Sequence, residues 1–383
     1  MTGTAAFMKL RIPSILLFGP GRLADVPAVL GELGAQRPLV VTDPGVAAAG
    51  LPERLLGFLQ SAGIAAEVWD GAAPDPDEQH AERCRDRIAA GGHGSVIALG
   101  GGSVIDVAKV AAALATSGGR TSEYFGFDRV RRPGLPLVTV PTTPGSGAEV
   151  SSHAVLLQLS PRKKEVVAGY HLLPRAAVVD PELTRTLPAH STAWTALDGF
   201  IHAVEAFLAR RATPFTDAFA RPAVPAIARA LPRVLADGTD SAAREDLALG
   251  CLHSGLAMAN ANAGAIHALG YPLTGRYGIP HGLANALVAA PALERIAPAS
   301  PGRSAELARL LGAGEDAGPE RLAGHVRRFL AAVGVAGGLA GHGVPEEDLP
   351  ELAEEATRFR PVLENTPVAL DRDDLLAIYR SAW

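Results

Sequence analysis

The amino-acid sequence predicts an α/β domain over residues 1–184 joined to an all-α domain over residues 185–383. Three observations carry that expectation. The chain has 383 residues, more than one hydrophobic core usually fills. Its first half alternates short continuous apolar runs with helix-spaced segments, the pattern of a parallel sheet covered on both faces. Beyond about Pro181 the β-branched runs thin out, and long stretches rich in Ala, Leu, Arg and Glu carry a 3.6-residue period.

In chain order, Ile15 to Phe18, Leu39 to Thr42, Ala65 to Trp69, Ser95 to Leu99 and Pro136 to Val140 read as strands. Glu78 to Ala90 between them has helical spacing. In the second half, Thr216 to Leu235, Ala243 to Ala261 and Ala305 to Val333 read as helices or helical hairpins. The proline-containing stretches Ala297 to Pro301 and Gly341 to Pro345 read as loops within that domain.

Composition excludes several classes of protein. With 48% hydrophobic and 20% charged residues, the chain is an ordinary globular one. Its net charge is −5 and its densest cationic run is Arg162-Lys163-Lys164, so nucleic acid is not an expected partner. Two cysteines, Cys84 and Cys251, support neither a disulfide framework nor a zinc ribbon and suit a reducing cytoplasm. The opening residues lack the apolar core of a secretory leader, and no apolar run approaches the roughly 20 residues that span a bilayer, so no membrane contact is expected.

Two segments have the makings of a phosphate cradle. Ile97 to Lys109 runs strand, glycine turn, helix. Gly100, Gly101 and Gly102 let the backbone turn sharply and approach a ligand, and the helix start presents N–H groups to an anion. Ser103 could cap that helix or donate to a phosphate oxygen. The spacing is not G-x-G-x-x-G, so a standard Rossmann fold does not follow. A second loop, Pro141 to Glu149, places Thr142 and Thr143 at another strand end, where hydroxyls and amides suit a ribose or phosphate. Asp43 also ends a strand. Its carboxylate could accept from an adenosine ribose and would repel a 2′-phosphate, which favours NAD over NADP. An Asx turn before Pro44-Gly45 explains Asp43 equally well.

A metal constellation lies in the second half. Asp198 and His202 stand at i and i+4 in an apolar helical segment, so their side chains share one face. An unpaired carboxylate there would be costly, and a cation would resolve the cost. His267 and His281 follow in glycine-rich contexts. One carboxylate and three imidazoles suit iron(II) or zinc, and an open coordination position would admit a substrate oxygen.

These segments together resemble the iron-containing (group III) alcohol dehydrogenases, from Phe18-Gly19-Pro20-Gly21 to Asn365-Thr366-Pro367. Gly100 to Lys109 matches the G-G-G-S-x-x-D-x-A-K signature in full, and Pro141 to Glu149 is similar to the P-T-T-x-G-[ST]-[GS]-x-E loop. Asp198, His202, His267 and His281 occupy the four metal-ligand positions, the last two with H-x13-H spacing. The resemblance implies the fold shared with dehydroquinate synthase: a dinucleotide-binding α/β domain, a helical metal domain and an active site in the cleft between them. It implies iron(II) ahead of zinc, and a homodimer. It implies that Gly100 to Ser103 hold the pyrophosphate, that Asp43 lies near the ribose, that Thr142, Thr143 and Lys164 line the cofactor site, and that Asp106 faces the nicotinamide end. The implied activity is hydride transfer between a nicotinamide and a small alcohol or aldehyde. One departure stands out. Where many members carry a second histidine as proton relay, this chain has Tyr271, a phenol in place of an imidazole. Similar Tyr-Pro variants occur among branches acting on phosphonoacetaldehyde and on hydroxy acids. A dehydroquinate-synthase-like lyase would need several cations around a phosphorylated substrate, and Arg162, Lys163, Lys164 and Arg175 form the one local cluster. A metal or nucleotide sensor without turnover would need none of the hydride-transfer parts.

Overall fold

The computed structural model describes residues 9–383, the side chain of Arg162 excepted, so the expectation for the opening residues lies outside it. The chain divides into two compact units. One comprises Pro13–Thr192 with Asp237–Leu252, and the other residues 9–12 with Ala193–Ala236 and His253–Trp383. After the crossing between Ile12 and Pro13, the next falls inside a helix, between Thr192 and Ala193 and not at residue 184, and the segment 237–252 returns to the sheet unit.

The sheet unit carries, in order, β1 (Ile15–Phe18), α1 (Val26–Glu32), β2 (Pro38–Val41), α2 (Pro44–Ala48), α3 (Leu51–Ser61), β3 (Glu67–Trp69) and α4 (Glu78–Gly91). It continues with β4 (Ser95–Gly100), α5 (Gly102–Ser117), β5 (Gly126–Phe127), β6 (Leu137–Pro141), β7 (His153–Leu159), β8 (Arg162–Ala168) and β9 (Ala176–Val179). Six strands form a parallel sheet in the order β1-β9-β6-β4-β2-β3. Successive side chains leave opposite faces, so Leu39, Val41, Val96 and Ala98 join the core against α4 and α5, while Val40, Ile97 and Leu99 join the core against α1 and α3. That two-sided burial is why these strands read as unbroken apolar runs. β5, β8 and β7 make a separate three-stranded sheet.

The connections set a crevice. The helices after β2 pack on one face and the helix after neighbouring β4 packs on the other. The strand ends between them, at Thr42-Asp43 and Gly100 to Ser103, therefore lie at a topological switch point, where open parallel sheets bind ligands.

The helical unit is built from α6 (Ala189–Leu208), α7 (Pro214–Ala236), α8 (Ser241–Ala261), α9 (Ala265–Tyr277), α10 (His281–Ile296), α11 (Pro301–Leu310), α12 (Arg321–Ala332), α13 (Leu349–Ala356), α14 (Arg360–Leu363) and α15 (Arg372–Ala382), with the first turn of α6 and the residues of α8 up to Leu252 counted in the sheet unit. From Ala196 to Leu208, α6 is buried on nearly every side. Two glycines let its neighbours approach. A Cβ at Gly282 would strike the Trp194 carbonyl of α6, and one at Gly270 in α9 would strike the side chain of Asn285 in α10. Asn365 clamps the α8–α9 connection, donating from Nδ2 to the carbonyls of Ala261 at 2.9 Å and Ala263 at 2.8 Å. No helix among the described residues is long and apolar enough to cross a membrane.

Candidate metal centre and cofactor cradle

The helical unit brings all four sequence-predicted metal residues together. Asp198 and His202 lie one turn apart on α6, with His202 Nε2 at 3.8 Å from Asp198 Oδ1. The same oxygen is 3.4 Å from His267 Nε2 on α9 and 3.6 Å from His281 Nε2 on α10. Donor atoms of Asp198, His267 and His281 all fall within 4.8 Å of one another. Metal–ligand bonds of about 2.1 Å in a tetrahedral site separate the ligand atoms by about 3.4 Å, so these spacings fit a first-row divalent ion. The rings of His202 and His267 stack with centroids 4.7 Å apart.

His267 supplies the sharpest test of that fit. Its Nδ1 lies 2.5 Å from Glu205 Oε2, a carboxylate two turns along α6 from Asp198. The other carboxylate oxygen accepts the Ile266 N–H at 2.6 Å. The carboxylate keeps the proton on Nδ1 and turns the lone pair of Nε2 toward Asp198, the arrangement by which a second-layer carboxylate orients a ligating imidazole. Nε2 is buried and makes no hydrogen bond, an orphan that a cation would satisfy. Burial works to raise the Asp198 carboxyl, but the charges of His202, His281 and His267 outweigh it and hold the group well below the usual carboxylate range. Burial likewise opposes a proton on His267, yet Glu205 and Asp198 lift it to about 10. Two buried carboxylates thus draw positive charge into the site, as a proton or as a metal ion.

Tyr271, one turn after His267 on α9, stacks on His281 at 5.4 Å with an interplanar angle of 7° and meets Phe359 at 4.7 Å. Desolvation, then the charges of Asp198 and Glu205, push its phenol above the ordinary value. Asn285, one turn after His281, donates to Asp198 Oδ1 at 3.0 Å. Sequence reasoning passed over Glu205 and Asn285. Each carried a signal: Glu205 sits at i+3 from His202 in an apolar helix, and Asn285 at i+4 from His281.

In the sheet unit the two glycine loops meet. A Cβ at Gly101 would come within 3.2 Å of Thr143, and one at Gly102 within 3.1 Å of Ser146. The Thr142 N–H donates to the Gly100 carbonyl at 3.1 Å. The N-cap of α5 is Gly101, with no side-chain cap, so Ser103 is not the cap and the first N–H groups of a 16-residue helix are left for another acceptor. Asp43 is the N-cap of α2, its Oδ1 accepting from Gly45 at 2.8 Å and Val46 at 3.0 Å. Asp106 accepts the Val155 N–H at 2.9 Å, and burial pushes its carboxyl up to about 6 against the pull of Lys109. Lys164, exposed on β8, pairs with Asp75 at 2.7 Å, and Lys163 pairs with Glu165. Two of the four cations that a phosphorylated-substrate lyase would draw on are thus paired with acids.

Comparison with known proteins shows the family. Residues 13–181 match the family model "Iron-containing alcohol dehydrogenase", and residues 192–383 match "Fe-containing alcohol dehydrogenase family, C-terminal". The chain is 34% identical to long-chain-alcohol dehydrogenase 1 of Geobacillus thermodenitrificans, over 98% of this chain and 96% of that protein. Its fold is similar to the crystal structure of 1,3-propanediol oxidoreductase, with a TM-score of 0.95 and 32% identity over 98% of this chain and 100% of that one. It is also similar to sulfoacetaldehyde reductase from Bifidobacterium kashiwanohense in complex with NAD+, with a TM-score of 0.90 and 28% identity over 98% of each chain. The chain belongs to the iron-containing alcohol dehydrogenase family and is an oxidoreductase of alcohols or aldehydes.

Proposed function

We propose that this oxidoreductase is metal-dependent and NAD-linked, and that it interconverts a small alcohol and its aldehyde. The observation that carries the reading is the buried Asp198 carboxylate ringed by three imidazole nitrogens at 3.4–3.8 Å, with His267 Nε2 unsatisfied. A divalent ion held by Asp198, His202, His267 and His281, iron(II) ahead of zinc, supplies a Lewis acid toward the substrate oxygen, and NAD carries the hydride.

The chain's own residues do the rest. Glu205 fixes the tautomer of His267. The amides of Gly100 to Ser103 take the pyrophosphate, with Thr142, Thr143 and Lys164 along the cofactor. Asp43 spends one oxygen on its helix cap and offers the other to a ribose hydroxyl. Asp106 stands at the nicotinamide end. Tyr271, kept neutral, passes a proton by hydrogen bonding and does not act as an ionised base. A cytoplasmic homodimer completes this reading.

Tyr271 also favours a second reading, a phosphonoacetaldehyde reductase or hydroxy-acid-specific member, and the likeness to a sulfoacetaldehyde reductase supports an anionic aldehyde as substrate. NADH absorbance with a panel of short aldehydes, keto acids and phosphonoaldehydes tests both. Turnover with one class identifies the substrate. Metal-replete protein that oxidises no NADH with any of them overturns the proposal.

A further inference from the structure

Asn285 is wholly buried, and its amide N–H2 donates to Asp198 Oδ1 at 3.0 Å and lies 3.2 Å from His281 Nε2. A carboxylate oxygen meets only the N–H2 end of an amide favourably, so this orientation is the physical one. The other end, Oδ1, is buried without a hydrogen-bond partner and rests against the Cα of Gly270. A buried amide left half-satisfied weakens a fold, and an aliphatic side chain would pack there without that cost. Gly270 deepens the case, because any side chain at that position would strike Asn285. Two residues on adjacent helices are thus committed to placing one amide against two of the four metal-ligand residues.

We infer that Asn285 is a positioning residue of the metal centre: by donating to Oδ1 it fixes the rotamer of Asp198, whose oxygen keeps a further lone pair for the ion. The inference rests on the proposed metal reading. A neutral amide serves where an acid would not. It orders Asp198 without adding negative charge to the residues that would hold the ion.

The test uses cobalt(II) as probe, in wild type, Asn285→Ala and Asn285→Asp, read by chelator competition and by the visible d–d bands. Wild type should bind one cobalt per chain. Asn285→Ala should bind it about 10–100-fold more weakly with shifted bands. Asn285→Asp, which keeps the shape but loses the donor and gains a charge, should bind more tightly than Asn285→Ala, also with shifted bands. If both variants hold cobalt within threefold of wild type with superimposable bands, the inference is overturned. If Asn285→Ala does not fold, the bands of Asn285→Asp decide: a shift supports the role and an unchanged spectrum overturns it. Wild type that takes up no cobalt overturns the metal reading itself, and the inference with it, before any variant is examined.

Discussion

Removing Glu205 separates the support of the metal centre from the centre itself. Glu205→Ala deletes the acceptors of two buried donors, His267 Nδ1–H at 2.5 Å and Ile266 N–H at 2.6 Å. The Glu205 side chain is 3% exposed, so water does not replace it cheaply. Each abandoned donor costs about 1–3 kcal/mol, which sums to about 2–6 kcal/mol of folding stability. Against a typical total of about 5–15 kcal/mol, the variant should fold but melt much lower. Loss of the second-layer partner should also weaken metal binding about 10–100-fold, or about 1.4–2.7 kcal/mol, because His267 can then adopt the wrong tautomer. Glu205→Gln keeps one carbonyl acceptor for two donors, so it should fall between wild type and Glu205→Ala on both scales. Chelator competition for metal and thermal unfolding of the metal-free protein give the two numbers separately. If folded Glu205→Ala binds metal within threefold of wild type, the carboxylate does not orient His267 and the reasoning fails.

Asp198→Asn should abolish stoichiometric metal uptake measured by atomic absorption, since it removes the one charged ligand; retention of one ion per chain contradicts the ligand set. Tyr271→Phe keeps the ring stack on His281 and removes the hydroxyl, so kcat should fall about 10-fold or more with metal content unchanged; an unaltered kcat assigns the proton to water. Gly282→Ala drives a methyl into the Trp194 carbonyl and should lower the melting temperature and the metal content together; a wild-type melting curve would show that α10 can retreat at no cost. Burial lifts Glu149 in the sheet unit from 4.5 to about 7, with Lys109 pulling the other way. A raised carboxyl contributes stability below its unfolded value and loses it as pH rises through the folded one, so wild type should lose stability between pH 4.5 and 7 and Glu149→Gln should lose less across that window. Melting curves of the two proteins at pH 5 and pH 8 decide this, and parallel losses count against it.

The sequence made legible whatever repeats with a period or must be apolar. The strands expected at Leu39 to Thr42, Ser95 to Leu99 and Pro136 to Val140 stand at Pro38–Val41, Ser95–Gly100 and Leu137–Pro141, and the expected helices at Glu78 to Ala90 and Thr216 to Leu235 are nearly as placed. The Ala305 to Val333 stretch is a hairpin of α11 and α12, broken around Gly312 to Gly318. β9, four residues of Ala and Val, escaped notice because so short a run has no period to read. The β7–β8 pair escaped too, because half-exposed polar positions such as Lys163 and Lys164 hide the alternation. Unit boundaries inside α6 and α8 leave no composition change in the chain. At the site, Asp198 and His202 were visible through helical spacing, whereas Glu205 and Asn285 act on His267 and Asp198 from 62 and 87 residues away in sequence. Contacts of that range are written in packing, not in local pattern.

The central claim is that metal held at Asp198 and its three imidazoles enables hydride transfer to NAD. Isotope transfer tests it most directly. Protein stripped of metal and protein reloaded with iron(II) or zinc are each incubated with NAD and an alcohol carrying deuterium on the reacting carbon, and the nicotinamide product is weighed by mass spectrometry. One deuterium per NADH in the reloaded protein and none in the stripped protein is the expected result. Deuterium transfer that persists without metal, or that fails in reloaded protein for every alcohol oxidised by its relatives, contradicts the account.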